Sequence, residues 1–181
     1  MADNKPTHII MRRPHLDGTA APAELPDGYR LRTFAGPADL APLAAALTSA
    51  FGFEWSEERV RIKLTEAADV KAVYVADWQG QPVATASSRS LPDLFPGSGY
   101  VHWVGTHRDH GRRGLSAALM QRLLVDFAAR GYGDAVLETD DFRLPAIRLY
   151  LKLGFIPVYQ AHGEDHTARW SAIFQRLFGS G

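Results

Sequence analysis

Arginines and glycines stand together in residues 106–117, THRDHGRRGLSA, where a β-rich run passes into a helical pattern. Arg112 and Arg113 lie beside the positive end of that helix's dipole, where a cation costs about a few tenths of a kcal/mol unless an anion offsets it. Gly111 and Gly114 permit close backbone approach, and the first N–H groups of a helix are free to donate. The segment predicts a pyrophosphate site, with a strand-to-helix turn carrying solvated arginines as the open alternative.

Other phosphate motifs and metal motifs are absent. Neither G-x-x-x-x-G-K-[ST] nor G-x-G-x-x-G occurs, which removes the usual sequence support for a nucleoside triphosphate or a nicotinamide dinucleotide as ligand. His102, His107 and His110 straddle a strand and a turn, and they lack the His-x-x-x-His spacing of a helical zinc site. We therefore predict no metal site.

The elements before this segment form a β-α-α-β-β pattern. Residues 29–33 (YRLRT) alternate as a strand does, and leucines at helical spacing follow in residues 40–47. Residues 56–64 carry a second helical pattern that begins at a capping serine. Residues 71–77 and 82–88 flank a glycine-containing turn, which is typical of an antiparallel hairpin.

The elements from residue 100 onward indicate a β-α-β-α-β order. Apolar residues recur every four positions in residues 115–127, and a second helical pattern covers residues 146–153. Short apolar runs at 100–106, 135–139 and 155–159 are typical of strands. Helices and strands in this order form a mixed sheet with helices on its faces. The predicted fold class is α/β, or α+β by stricter labels.

The strand over residues 100–106 leads directly into the arginine- and glycine-containing segment. Simple alternation puts Trp103 on one face of the strand and His102 and Val104 on the other. Gly105 lies inside the strand, where a glycine often marks a β-bulge or a close backbone approach. Gly105 therefore marks one of these features or is simply a tolerated small residue.

Two motifs together resemble the GNAT superfamily of N-acetyltransferases. The family pattern A-x-x-L-Y-x-x-x-G-F falls without a gap on Ala146, Leu149, Tyr150, Gly154 and Phe155. The pattern [QR]-x-x-G-x-[GA] keeps its central glycine at Gly114, but Gly111 replaces Gln/Arg and Ser116 replaces Gly/Ala. Arg143 stands where members often carry Asn. The resemblance implies a mixed, mostly antiparallel central sheet flanked by helices, in the order β-α-α-β-β-β-α-β-α-β.

The resemblance also implies acetyl-CoA as the co-substrate. The cofactor's pyrophosphate is expected on the N–H groups of residues 112–116, and its pantetheine along the strand edge at residues 104–106. The residues implied to contact it are Val104, Gly105, Thr106, Gly111, Arg112, Arg113, Gly114, Leu115, Ser116 and Arg143.

Direct acetyl transfer to an amine needs an acid and a base. The resemblance implies Tyr150 as the acid, because a phenol can give its proton to the leaving CoA thiolate. The acceptor ammonium must lose a proton before it attacks. His102 is the first candidate for this base, because an imidazole titrates near neutral pH, and the open alternative is that His102 is simply hydrogen-bonded on a half-buried strand. Glu138 is the second candidate. Asp140 and Asp141 compete with them, or cap the helix that follows.

Composition narrows the classes of partner. Lys plus Arg and Asp plus Glu both number 20, so no net positive field favours nucleic acid or an anionic membrane. Cysteine is absent, which excludes acyl transfer through a thiol of this chain. The N-terminal residues lack the apolar core of a signal peptide, and no stretch approaches about 20 apolar residues. We predict a cytoplasmic location.

We predict three segments in the chain. Residues 1–28 form an extended arm whose apolar start adds an edge strand, residues 29–160 form the acyl-CoA N-acyltransferase domain, and residues 161–181 form a tail with a short helix. The aromatic stripe of that helix packs on its own core or on a second copy, so a homodimer is possible. The stripe consists of Trp170, Phe174 and Phe178.

The predicted activity is acetyl-CoA-dependent acetylation of a primary amine. Loop residues that flank the acceptor side in similar folds suggest a small amine with an apolar portion, or are simply core. These residues are Phe51, Phe53, Glu54, Trp55 and Phe95. The alternative function is a non-catalytic acyl-CoA-binding module, because the motif departs from the family pattern at Gly111 and Arg143.

Overall fold

The structure is a computed structural model that describes residues 8–179. The first seven residues of the predicted arm and the last two of the predicted tail lie outside the described residues. In chain order the elements are β1 (Ile9–Arg13), β2 (Tyr29–Thr33), α1 (Leu40–Phe51), α2 (Glu57–Val60), β3 (Val70–Trp78), β4 (Gln81–Arg89), β5 (Ser98–Thr106), α3 (Leu115–Ala129), β6 (Asp134–Thr139), α4 (Leu144–Lys152), β7 (Ile156–Val158), β8 (Gln160–Ala161), β9 (Glu164–Asp165) and α5 (Thr167–Phe178). The order predicted from the sequence between β2 and β7 is confirmed.

The described chain forms two compact units, residues 15–135 and residues 8–14 with 136–179. In the larger unit four antiparallel strands follow the order β2-β3-β4-β5. α1 packs on β4 and β5, and α3 packs on β3, β4 and β5. The predicted class, a mixed α/β fold with mostly antiparallel strands flanked by helices, is confirmed. The predicted boundaries at residues 28 and 160 stay a prediction.

The leucine spacing of α1 produces the core of the larger unit. Leu40, Leu43 and Leu47 are buried in one cluster with Val73 and Val75 of β3. Each fully buried aliphatic side chain of this kind contributes about 1.5–3 kcal/mol. This burial fixes α1 against the sheet, and with it the loop that follows α1.

Two glycines of β5 allow close packing of helices. A Cβ atom at Gly99 would lie 2.4 Å from Cγ of Phe127 in α3, which no real packing permits. A Cβ atom at Gly105 would lie 3.0 Å from the Cβ of Ala50 in α1. Gly105 is therefore closely packed, but the atoms that approach it are side-chain atoms of α1 and not backbone.

The smaller unit orders its strands β6-β1-β7, with β1 and β7 antiparallel. β1 therefore lies between two strands, and the expectation that it is an edge strand is wrong. α4 precedes β7, and the β8–β9 hairpin and α5 follow it. In α5, Trp170 is fully buried and its indole donates to the Val158 carbonyl at 3.2 Å, whereas Phe178 is 62% exposed. The aromatic stripe thus packs on its own unit at one end and is open at the other.

A buried ion-pair network joins β2, β3 and the turn before α1. Arg32 donates to Asp39 through Nη1 at 2.5 Å and Nη2 at 2.8 Å, and to Asp77 through Nε at 2.7 Å. Asp39 and Asp77 are 5% and 2% exposed. The hydrogen bonds from Arg32 hold the pKa of Asp39 below its usual range. Burial by itself would raise the pKa of Asp77, but Arg32 and the Gly80 amide outweigh it, and the net shift is downward.

Replacing Arg32 by Met is expected to destabilise the protein by about 3–5 kcal/mol, because two buried carboxylates lose the guanidinium that donates to both of them. Urea denaturation at neutral pH measures this. Arg30→Met is the matched control: Arg30 lies on the same strand, 3.4 Å from Asp77, but its side chain is 69% exposed, so the expected cost is below about 1 kcal/mol.

The network also makes the free energy of unfolding depend on pH. Folding lowers the pKa values of Asp39 and Asp77, so the two carboxylates stabilise the protein at neutral pH. This stabilisation is lost below about pH 4, as the pH falls through the lowered pKa values of the folded protein. If Arg30→Met and Arg32→Met lost the same free energy of unfolding, this account of the network would be contradicted.

Candidate active site

The turn between β5 and α3 presents unpaired backbone donors. The helical ladder of α3 begins with the Ala118 amide, which donates to the Gly114 carbonyl at 3.0 Å. The amides of residues 115–117 therefore precede the helix's own hydrogen bonds. Gly114 adopts a left-handed φ of 77° and a Cβ there would meet nothing within 4 Å. This open, positively polarised helix start has the donor set that a phosphate requires.

Arg113 and Ser116 hold this turn in place. Nη1 of Arg113 donates to the Asp109 carbonyl at 2.7 Å and to that of Gly111 at 3.4 Å. The Ser116 and Thr106 hydroxyls are 2.8 Å apart and join the start of α3 to the end of β5. Arg113 and Ser116, which were predicted to contact the cofactor, thus also brace the loop.

Arg112 is the cation of the turn that remains available. Its backbone is left-handed, with φ of 58°, a conformation that costs a non-glycine residue about 1 kcal/mol or more. Its side chain is exposed and makes no hydrogen bond or ion pair with any residue that the structure describes. A strained residue with a solvated guanidinium at a helix start is compatible with a turn that binds an anion.

A second contact holds the turn from its other side. The Tyr29 hydroxyl of β2 lies 2.7 Å from Nδ1 of His110, and the Tyr29 ring packs against Trp78 with centroids 4.5 Å apart. Burial, Arg113 and His107 together lower the pKa of His110. The Nδ1 lone pair of a neutral His110 can accept a hydrogen bond from the Tyr29 hydroxyl, so this contact is compatible with neutral pH.

The β-bulge of β5 lies at Trp103, two residues before Gly105. Ser87 pairs with His102 and Thr85 pairs with Gly105, so β5 carries one residue more than β4 over this stretch. Trp103 takes a left-handed φ of 45°. Because an extra residue breaks alternation, the predicted separation of Trp103 and His102 onto opposite faces is wrong: their rings lie 5.4 Å apart. Val104 and Thr106 follow the bulge.

His102 is held by side chains of β4. Nη1 of Arg89 lies 3.4 Å from Nε2, and the Ser87 hydroxyl lies 3.4 Å from Nδ1 while it donates to the His102 carbonyl at 2.7 Å. A guanidinium can only donate, so the Nε2 lone pair accepts from Arg89. Arg89 is in turn paired with Asp69. This network occupies the nitrogen that a general base would use.

The surroundings of His102 also weaken it as a base. Burial and the charge of Arg89 lower the pKa of His102 to about 3. The expectation that this imidazole titrates near neutral pH is therefore wrong. His102 stays neutral at pH 7, but it takes up a proton from an ammonium only at a large free-energy cost.

The acidic candidates lie in the smaller unit, and each has a basic neighbour. Oε1 of Glu138 lies 2.8 Å from Nε2 of His162. Asp140 pairs with Arg143 at 2.8 Å and lies 3.4 Å from His8. Asp141 forms a bidentate pair with Arg169, which holds the pKa of Asp141 below its usual range. Arg143, proposed as a cofactor contact, is thus engaged with Asp140.

Tyr150 lies on α4 and is 7% exposed. Its ring packs against Phe155 of the same motif, with centroids 6.1 Å apart. Burial raises the pKa of Tyr150 to about 12. The phenol therefore keeps its proton throughout the neutral range, as a proton donor must.

The residues proposed for the acceptor side form an aromatic cluster in the larger unit. Trp55 is 4% exposed and belongs to the core, whereas Phe53 is 39% exposed. Trp103 lies 4.7 Å from Trp55 and 5.1 Å from Phe51, edge to face in both pairs. Phe95 stacks separately on Tyr100 at 5.6 Å. The core alternative thus holds for Trp55, and the acceptor hypothesis rests on the more exposed rings.

His162 was not singled out in the sequence, although a signal for it existed. His162 and Gly163 form the two-residue turn between β8 and β9, with φ of 54° and 76°. Histidine followed by glycine between short runs permits this type of hairpin turn, because both residues tolerate a left-handed backbone. Nothing in the sequence indicated that the ring would meet Glu138.

Residues 8–179 contain neither a metal-binding cluster nor a membrane-spanning helix. No cluster of three or more histidine or acidic side chains there is arranged to hold a metal ion. None of the helices in the described range combines the length and the apolar character needed to cross a bilayer.

Comparison with known proteins identifies the family. Residues 40–155 match the Acetyltransferase (GNAT) family. The chain is 30% identical over 144 residues to the mycothiol acetyltransferase of Nocardia farcinica, which covers 75% of this chain and 48% of that protein. It is also 30% identical over 175 residues to the mycothiol acetyltransferase of Tsukamurella paurometabola, covering 90% and 58%. The chain therefore spans about half the length of the curated relatives it matches.

A solved structure gives the same result. The GCN5-related N-acetyltransferase from Sphaerobacter thermophilus superposes with a TM-score of 0.63 at 25% identity, over 85% of this chain and 50% of that chain. The family match, the shared fold and the intact motif around Tyr150 agree, and this chain belongs to the Acetyltransferase (GNAT) family.

Proposed function

We propose that this chain is an acetyl-CoA-dependent N-acetyltransferase that moves an acetyl group directly to the primary amine of a small acceptor. The observation that carries the proposal is the start of α3, where unpaired backbone amides meet a solvated arginine, Arg112. Family membership and the acetyltransferase names of the relatives support the reaction type. The chain has no cysteine, so its own thiols cannot carry the acetyl group.

The residues of the turn fit a pyrophosphate. The amides of residues 115–117 and the Arg112 guanidinium would hold it, and the clamps made by Arg113 and Ser116 keep those donors in position. A preformed donor set loses little conformational entropy on binding, which favours affinity. Bound acetyl-CoA supplies the activated thioester.

Tyr150 would stabilise the departing sulfur. With its pKa raised to about 12, the phenol is a weaker acid than a thiol, whose reference pKa is about 8.5. It therefore acts mainly by donating a hydrogen bond while the C–S bond breaks, rather than by giving up its proton beforehand. Its burial excludes water from that hydrogen bond.

A non-catalytic acyl-CoA-binding module is the alternative. The departures at Gly111, Ser116 and Arg143 favour it, whereas the intact motif around Tyr150 favours catalysis. The two functions differ in turnover and not in cofactor binding. A cytoplasmic location, a possible homodimer and the absence of nucleic-acid and membrane partners remain proposals from the sequence.

Acetyl-CoA and CoA are expected to raise the unfolding temperature, whereas ATP and NADH are not, because a ligand at 100 times its Kd adds about 2.7 kcal/mol to stability.

Arg112→Ala should weaken acetyl-CoA binding about tenfold or more, by loss of a charge-assisted hydrogen bond, and the loss should shrink as salt is added. Arg176→Ala, which removes an exposed arginine of α5, is the control. If neither acetyl-CoA nor CoA raised the unfolding temperature, the proposed pyrophosphate site would be refuted. A loss of binding in Arg112→Ala that does not depend on salt would indicate misfolding of the variant.

Tyr150→Phe is expected to lower kcat about 100-fold while leaving the Kd of acetyl-CoA within about twofold, because only a proton-donating hydroxyl is removed. The assay is release of CoA thiol with a panel of primary amines that carry an apolar portion. Tyr132→Phe removes a hydroxyl from a ring that packs on Phe127 and should be silent. Unchanged turnover of the Tyr150 variant would exclude the phenol from the chemistry.

His102→Asn is expected to leave the acidic limb of the pH–rate profile where the wild-type enzyme has it. The reason is that the pKa of His102 is lowered to about 3, so His102 is already neutral throughout the usual assay range, above pH 5. The pH dependence of kcat/KM measures this. If the limb disappears in the variant, His102 is the base after all.

A further inference from the structure

The tip of the β8–β9 hairpin brings an imidazole to a carboxylate at the end of β6. β8 and β9 pair Gln160 with Asp165 and Ala161 with Glu164, which leaves His162 and Gly163 as the turn. Nε2 of His162 lies 2.8 Å from Oε1 of Glu138. The two side chains are 24 residues apart in sequence, so only the hairpin brings them together.

The chemistry of the two partners fixes the roles of the ring nitrogens. An ionised carboxylate only accepts hydrogen bonds, so Nε2 of His162 carries the proton that Glu138 receives. The lone pair of a neutral imidazole is then on Nδ1. Because the His162 side chain is 38% exposed, against 21% for Glu138, the ring is the more accessible member of the pair. General bases in enzymes are often imidazoles that a hydrogen-bonded carboxylate holds in a fixed orientation.

The backbone of His162 also has the conformation that the hairpin turn requires. Its φ of 54° is left-handed, a conformation that costs free energy for most residues but that histidine adopts more readily than most. The other acidic groups of the hairpin have different partners: Glu164 lies 3.3 Å from His166, and Asp165 accepts from the Thr167 amide at 2.8 Å. The acid that contacts Nε2 of His162 is therefore Glu138.

The competing bases are committed elsewhere. The Nε2 lone pair of His102 accepts from Arg89. Asp140 is paired with Arg143 and Asp141 with Arg169, and a carboxylate that loses such a partner pays for it in stability. The remaining candidate from the sequence is Glu138, and the structure joins it to His162.

We propose that His162 is the general base of this enzyme and that Glu138 is its positioning residue, an inference that rests on the proposed acetyltransferase function. Nδ1 of His162 takes one proton from the acceptor ammonium. The neutral amine then forms the C–N bond as the C–S bond breaks, while the Tyr150 phenol donates a hydrogen bond to the departing sulfur. The nitrogen loses its second proton, the CoA thiolate takes up one proton, and His162 releases its proton to solvent. Each transfer thus frees one proton and yields CoA with its thiol.

Two substitutions at His162 keep the turn intact, because Gly and Asn both adopt a left-handed backbone. With the amine of the panel that the wild-type enzyme acetylates fastest, His162→Asn and His162→Gly should lower kcat/KM about 100-fold. Free imidazole should restore much of the rate to His162→Gly only, since an added base can occupy the space left by the ring. Stabilisation by acetyl-CoA should be unchanged in both variants.

His8→Asn is the matched control. His8 also lies beside a carboxylate, 3.4 Å from Asp140, in the same compact unit, and its loss should leave kcat/KM unchanged. A readout independent of activity is the ¹⁵N spectrum of His162, which should show the Nε2–H tautomer in the wild-type protein and a mixture of tautomers in Glu138→Ala.

The outcomes separate the two proposals. If acetyl-CoA stabilises the wild-type protein and amines are acetylated, but His162→Gly keeps its rate or is not rescued by imidazole, His162 is not the base and the proposed function stands. If the wild-type protein neither binds acetyl-CoA nor releases CoA with any amine, the proposed function fails, and the base assignment fails with it.

Discussion

A backbone that binds an anion must leave N–H groups unpaired and still keep one shape, and the turn between β5 and α3 meets both requirements. The amides at the start of α3 cannot bond within the helix, so the turn is held by side chains instead. Arg113 closes the loop on two carbonyls, and Ser116 joins the helix to Thr106 at the end of β5. Arg112 is left in a strained conformation with its charge in solvent. One departure from the family motif therefore has a structural use: Ser116 supplies a hydroxyl that a glycine or alanine lacks.

The extra residue of β5 has consequences on both sides of the strand. Gly99 and Gly105 are six residues apart, so in a regular strand both would face the same side. The bulge at Trp103 shifts the alternation by one, so Gly99 meets α3 whereas Gly105 meets α1. The strand can then be covered by a helix on each face without either helix being displaced. The same irregularity brings Trp103 into contact with Phe51 and Trp55.

The electrostatic environment of each titratable side chain decides whether it can take up a proton or keeps the one it has. His102 lies beside Arg89 and is partly buried, which keeps it neutral and makes it a poor proton acceptor. Tyr150 is buried and keeps its proton. His162 lies at an exposed hairpin tip with a carboxylate behind it. Burial thus suits a residue that must keep its proton, whereas burial weakens a residue that must take one up.

The sequence by itself determined the order of the elements from β2 to β7, the fold class, the family and the location of the turn that is proposed to bind phosphate. These features depend on local periodicity and on short contiguous motifs, such as the one around Tyr150, which are complete without knowledge of distant residues. The tertiary structure decided the rest. The bulge at Trp103 arises from pairing with β4, the low pKa of His102 arises from Arg89 on that neighbouring strand, and β1 takes its place between β6 and β7 rather than at an edge. The partner of Glu138 depends on a hairpin 24 residues later in the chain. Contacts of this kind join residues that are far apart in sequence, and no local pattern specifies them.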